Sequence, residues 1–160
     1  SAISLGNLDS ALTTIFDHHT TDDIRVSNNS WGFGNSFDTN VTEAFVRANY
    51  SNAITAMNNA QANGTLILFS NGNDSGTTSS FLSGLPVHVN ELSDAWLTVA
   101  SVDVNGLEAS YTNRCGNAAD FCVTAPGGDF DTDGGIYAAY NGSTTDYQRL
   151  QGTSMAAPHV

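Results

Sequence analysis

Residues 151–160 read QGTSMAAPHV and place a hydroxyl where acyl-transfer chemistry could use one. Gly152 and Thr153 permit a tight approach, and Ser154, Met155, Ala156 and Ala157 have helical character. Pro158 falls where a first helical turn tolerates a missing N–H. A serine there sits among unpaired backbone donors, which favour developing negative charge, so Ser154 has the setting of a nucleophile. The same setting suits an N-cap without chemistry. Cys115 and Cys122 are too far apart for a CxxC redox motif and lack further Cys or His at zinc spacing. They read as a local disulfide in an exported protein, against the alternative of two free thiols. Asp129, Asp131 and Asp133, followed by Gly134, mimic the start of a calcium loop. The twelfth position is Tyr140 where such a loop wants Glu, so an acidic solvated turn is the expected reading.

The elements that must position these residues alternate along the chain. Leu8, Leu12, Ile15 and Phe16 recur at helical spacing over 8–19. DIRVSNNS follows as a short β-branched strand ending in a polar turn, and GFGNSFDTNVTEAF (32–45) has the character of a loop. A helix is expected over 48–62, stopped by Asn63-Gly64, with TLILFS behind it as a fully apolar strand. WLTVASVD and DFCVTA supply two more strands. Apolar strands alternating with helices imply an α/β fold, a parallel sheet covered by helices. In such sheets ligands bind at the carboxyl ends of the strands. Those ends carry Asn29-Ser30-Trp31-Gly32, Asn71-Gly72-Asn73-Asp74, Ala125-Pro126-Gly127 and Gly152-Thr153-Ser154, each a small or amide-bearing turn.

Composition narrows the partners. The 160 residues include 16 acidic ones against four arginines and no lysine, a formal charge of −12. That balance argues against nucleic acid or an anionic membrane surface. No apolar run approaches a membrane span, and no basic leader precedes an apolar core. Such a charge suits a secreted or cell-surface protein.

The four strand-end segments, in this order, resemble the subtilisin-like serine proteases, the subtilase family. GTSMAAPHV is similar to the family's nucleophile motif, FSNGND to the segment bearing its oxyanion-hole Asn, and NNSWG to its substrate-binding strand and turn. LTVASVD, EASYTN and VTAPG resemble the stretch between oxyanion Asn and nucleophile, so the likeness spans nearly the whole chain. NRCGNAADFCVTAPGG is further similar to the protease domains of Gram-negative autotransporter subtilases. The resemblance implies a three-layer sheet with helices on both faces and peptide or protein substrates. It implies Ser154 as nucleophile and Asn73 as side-chain oxyanion donor, with the Ser154 N–H as second donor. Ser30, Trp31, Gly32 and Gly72 would bind substrate. No cofactor is required for the chemistry, no metal ligand is assigned, and structural calcium is known in the family.

The family orders its triad Asp, His, Ser, and neither an Asp-Thr/Ser-Gly after an apolar strand nor a His-Gly-Thr opening a helix is found. His18 and His19 end the first helix, His88 lies in a loop, and His159 follows Ser154 on one helix, so none suits the base. Residues 1–160 are therefore expected to be the C-terminal larger part of one peptidase domain, truncated at both ends and inactive alone. Two rivals stand beside this reading. An α/β-hydrolase elbow would want Gly two residues after the serine, where Ala156 stands. A catalytically dead relative could retain Ser154 as part of a binding module.

Overall fold

A computed structural model describes residues 5–32, 41–132 and 134–160. Helix α1, Leu5–Thr21, buries Leu8, Leu12 and Phe16 along one stripe, as their spacing dictates. Helix α3, Ser51–Ala62, meets it through Ala53, Ile54, Ala56, Met57 and Ala60, whose small members let the two helices approach closely. Burying a side chain the size of Phe16 stabilises the fold by roughly 1.5–3 kcal/mol.

The expected 48–62 helix is in fact two. Helix α2, Glu43–Asn49, starts on Thr42, whose hydroxyl accepts the Phe45 N–H at 3.2 Å. It ends at Tyr50, whose backbone leaves helical angles at φ −133° and ψ 26°. The Tyr50 ring is buried against Phe45 and Phe81, and this packing sets the break. Glu43, Ala44 and Phe45 thus belong to a helix rather than to the expected loop. Positions 33–40 of that loop lie outside the described residues.

Four parallel strands form the main sheet in the order β1-β2-β3-β4. They are β1 Val26–Asn29, β2 Leu66–Ser70, β3 Trp96–Val102 and β4 Cys122–Pro126. The period of two divides their side chains between two layers. Ile67, Phe69 and Trp96 join α1–α3 in the larger core, with Phe69 and Trp96 stacked at 5.1 Å. Leu68, Val99 and Ala125 face the other way, toward Ala156 and Ala157 of the chain's last helical turns. Helices on both faces of a parallel sheet make the expected three layers.

A hairpin went unforeseen. Strands β5, Ile136–Ala139, and β6, Tyr147–Leu150, pair antiparallel outside the main sheet. Tyr137 stacks on Tyr147 at 5.4 Å and the Arg149 guanidinium lies 5.5 Å over the Tyr137 ring. These exposed cross-strand contacts hold a pair whose sequence, IYAA and YQRL, has almost no apolar alternation. Strand β6 delivers the chain into Gln151 and Gly152. There the Gly152 N–H donates to Gly127 O at 3.1 Å, tying this approach to the end of β4.

Candidate active site

Helix α4, Thr153–Ala156, continues as a 3-10 turn over Ala157–His159. Its N-cap is Gly152, at φ +153°, a conformation that L side chains rarely adopt. Ser154 is therefore the second residue of the helix, and the reading of Ser154 as an N-cap does not hold. Its hydroxyl instead leaves the helix and donates to Ser30 O at 2.9 Å, joining α4 to the turn after β1. A helix residue this close to the start has no intrahelical acceptor for its own N–H.

Thr153, fully buried, holds Asn73 across from it. The Thr153 N–H and hydroxyl both donate to Asn73 Oδ1, each at 2.9 Å, and the same hydroxyl accepts the Gly72 N–H at 3.1 Å. A backbone N–H can only donate, so the amide atom facing it must be the oxygen. The sense of the Asn73 carboxamide is fixed, with its Nδ2 donor end beside Gly152. A Cβ built on Gly152 would lie 3.5 Å from that nitrogen.

Between these segments lies a cleft of about 310 Å³ above the carboxyl ends of β1 and β2. Ser154, Asn73 and Gly72 line it together with Trp31, Gly32, Ser70, Asp74 and Ser80. Trp31 serves both cleft and core, since its ring also meets Phe69 edge-on at 5.7 Å. Ser70 is 7% exposed and lines the cleft at the end of β2. Asp74, exposed, is the charged residue of the lining. Sequence reading anticipated Ser30, Trp31, Gly32, Gly72, Asn73 and Ser154, which the structure brings together. It missed Ser70, Asp74, Ser80 and Thr153. Thr153 alone carried a signal, because a β-branched residue at a helix start invites a packing reason.

The floor of the 70–76 loop is a buried polar network. Asn71, fully buried, donates from its N–H to Val99 O at 2.9 Å and from Nδ2 to Asn113 O at 2.6 Å. Its Oδ1 accepts the Ser83 hydroxyl at 3.2 Å, while Ser83 O accepts Trp96 Nε1–H at 2.9 Å and the Thr98 hydroxyl at 2.5 Å. Satisfied networks of this kind rigidify what stands on them.

The remaining candidates lie elsewhere. None of the four histidines lines the cleft. His19 donates from Nδ1 to Ile15 O and bonds Ser27 through Nε2 at 2.8 Å, whereas His18 reaches Asp22 at 4.0 Å on the surface. His88 caps a 3-10 turn, and burial holds its imidazole below the ordinary value. His159 bonds Pro126 O through Nδ1 at 2.6 Å. Cys115 and Cys122 are joined in a disulfide with Cα atoms 5.8 Å apart.

Backbone N–H groups organise the acidic turn. Asp129 accepts the N–H of Ser110 at 2.6 Å and of Asp131 at 3.1 Å, and these bonds hold its carboxyl below the usual range. Asp103 nearby is likewise occupied by the N–H groups of Leu107 and Asn105, both at 2.9 Å. Asp133 lies outside the described residues. Among those described, no three His, Cys, Asp or Glu side chains group as a metal site, and no helix is long and apolar enough to cross a membrane.

Residues 4–160 match the subtilase family, peptidase S8. The chain is 33% identical to serotype-specific antigen 1 of Mannheimia haemolytica over 83% of its own length and 15% of the antigen's. It is 34% identical to an extracellular serine protease of Serratia marcescens, over 68% of the chain and 12% of that protease. It thus spans only a small part of either relative. Among solved structures, a protease of Pseudoalteromonas arctica is 30% identical, with a TM-score of 0.59 over 84% of this chain and 36% of its own. The prenylagaramide maturation protease PagA shares the fold at a TM-score of 0.70 and 21% identity, covering 99% of this chain and 48% of its own. With its Ser, Asn and Gly-rich turns gathered at the strand ends, this chain belongs to the subtilase family.

Proposed function

We propose that the protein is a serine endopeptidase and that Ser154 is its nucleophile. The observation that carries this reading is the pairing of Ser154 with an Asn73 amide whose donor end is fixed by Thr153. Ser154 Oγ attacks the scissile carbonyl carbon while a histidine takes its proton, and the carbonyl oxygen becomes an oxyanion. Asn73 Nδ2–H and the Ser154 N–H receive that charge, a contribution of about 3–4 kcal/mol for one such donor. Collapse breaks the C–N bond, the leaving amine takes the proton from histidine, and water then hydrolyses the acyl-enzyme. Before attack the hydroxyl must turn its proton from Ser30 O toward the base. In this reading residues 1–160 form part of a larger peptidase domain whose histidine and aspartate complete the triad.

The peptide lies extended along 30–32, bonding through its main chain. Its side chain next to the scissile bond enters the cleft, where Asp74 and the Ser70 hydroxyl favour a cationic, hydrogen-bond-donating group. A solved PatG macrocyclase structure similar in fold holds a peptide, which supports a peptide as ligand. Secretion is supported by the −12 charge, the disulfide and the extracellular Serratia relative.

The test uses the protein expressed from its full coding sequence, exposed to a fluorophosphonate probe and to a peptide library. Labelling of Ser154 and peptide cleavage that vanishes in Ser154→Ala are expected. Cleavage surviving that substitution overturns the assignment. A folded protein that neither labels nor cleaves is a binding module instead.

A further inference from the structure

Asn113 lies under the loop that carries Asn73 and is 1% exposed. Its Oδ1 accepts the N–H groups of Asp74 at 3.0 Å and Gly76 at 2.9 Å, and its Nδ2 donates to Asn71 O at 3.2 Å. Its main chain adds two bonds. The N–H donates to Gly72 O at 2.9 Å, and the carbonyl accepts Asn71 Nδ2 at 2.6 Å. One residue thereby grips positions 71, 72, 74 and 76, on both sides of Asn73, through no bond to Asn73 itself.

Polarity makes this grip specific to an amide. Two N–H donors face Oδ1 and one carbonyl faces Nδ2, so neither a carboxylate nor a reversed amide satisfies all three. The loop is shaped around it. A Cβ on Gly72, which sits at φ +106°, would come within 2.5 Å of Asn113 Nδ2, and one on Gly76 within 3.1 Å of Oδ1. The segment 110–114 also pairs with the loop from outside, since the Ser75 N–H donates to Tyr111 O and the Arg114 N–H to Gly76 O, both at 2.9 Å. Asn113 does not line the cleft, so a substrate bound there is held without touching it.

We infer that Asn113 is a positioning residue for the oxyanion donor, fixing the backbone of Asn73 as Thr153 fixes its side chain. The inference rests on the reading of Asn73 given above. Its physical basis is preorganisation. A donor stabilises a developing charge only if it is already in place, and misplacement by about 1 Å lowers a rate on the order of a hundredfold. Asn71 is buried at the start of the loop, Thr153 bonds Gly72 and Asn73, and Asn113 holds positions 74 and 76 beyond them.

A double-mutant cycle in the full-length protein tests this, with kcat, KM and melting temperature measured for Asn113→Ala, Asn73→Ala and the pair. Asn113→Ala is expected to lower kcat about 10- to 100-fold at nearly constant KM. In the Asn73→Ala background the same change should lower kcat by less than about threefold, because the group it positions is gone. A full loss in both backgrounds, or none in the native Asn73 background, overturns the inference. If Asn73→Ala by itself leaves kcat unchanged, the fault lies with Asn73 as donor and not with its support. Should Asn113→Ala not fold, Gly76→Ala enters the same cycle, because its methyl presses on Asn113 Oδ1 without demanding an unusual backbone angle.

Discussion

Replacing Thr153 by valine keeps the branched shape of a fully buried side chain and deletes a single oxygen. That oxygen makes two bonds, donating to Asn73 Oδ1 at 2.9 Å and accepting the Gly72 N–H at 3.1 Å. Each contributes about 1 kcal/mol net, and the Gly72 N–H left facing a methyl adds a desolvation penalty of roughly 1–3 kcal/mol. The Thr153 N–H still donates to Asn73 Oδ1 at 2.9 Å, so the amide retains one of two anchors and does not swing free. Complete removal of an oxyanion donor costs about 3–4 kcal/mol of barrier. Losing half the anchoring should cost about 1–2 kcal/mol of that, or about 5- to 30-fold in kcat. KM should hardly move, because no contact to bound substrate is removed. The assay is steady-state hydrolysis of one peptide by the full-length protein, with Thr153→Ser alongside to restore the hydroxyl. A folded Thr153→Val protein with unchanged kcat would refute the reasoning. So would a loss that fell entirely on KM, or one that Thr153→Ser failed to recover.

Three further outcomes are expected. Replacing Cys115 and Cys122 together by alanine opens a loop of sequence separation 7. Chain entropy puts the loss of stability at about 2.5 kcal/mol, read from the urea midpoint, and a shift of under about 0.5 kcal/mol would contradict it. Asp129 and Asp103 are held below their ordinary value of 3.8, chiefly by the N–H groups of Ser110 and Leu107. Carboxyls lowered on folding contribute stability that is complete above the unfolded value and lost as pH falls through the folded one. Acid unfolding should therefore steepen below pH 3.8, and Asp129→Asn should flatten that limb in urea titrations. Finally, Asp74→Asn should lower the kcat/KM preference for lysine over glutamine beside the scissile bond by about two- to fivefold, the scale of one exposed ion pair. An unchanged ratio would remove Asp74 from the specificity of the cleft.

Much of this protein is legible in its sequence. The apolar spacing of Leu8, Leu12 and Phe16, the run LILFS and the stop at Asn63-Gly64 are local signals, and they specify helices and strands through backbone geometry alone. The parallel sheet followed from their alternation, and the strand-end turns marked where a site would form. Ser154 and Asn73 stood in recognisable turns for the same local reason. Other features were invisible because their causes lie far apart in sequence. The break at Tyr50 comes from a ring packing against Phe81. Strands β5 and β6 carry too little apolar alternation to declare themselves, and they persist through Tyr137, Tyr147 and Arg149 meeting across the pair.

The division is sharpest at the site. Sequence alone determined which residue types stand at the carboxyl ends of the strands, because turn chemistry and helix starts are encoded within a few neighbours. Only the tertiary structure decided which way Asn73 points, since its orientation comes from Thr153, 80 positions along the chain. It likewise decided what lies beneath the loop, where Asn113 reaches Asn71 across 42 positions. A hydrogen bond needs its partners within about 3 Å and within a narrow angle, and no local pattern in the chain reports that two distant amides will meet.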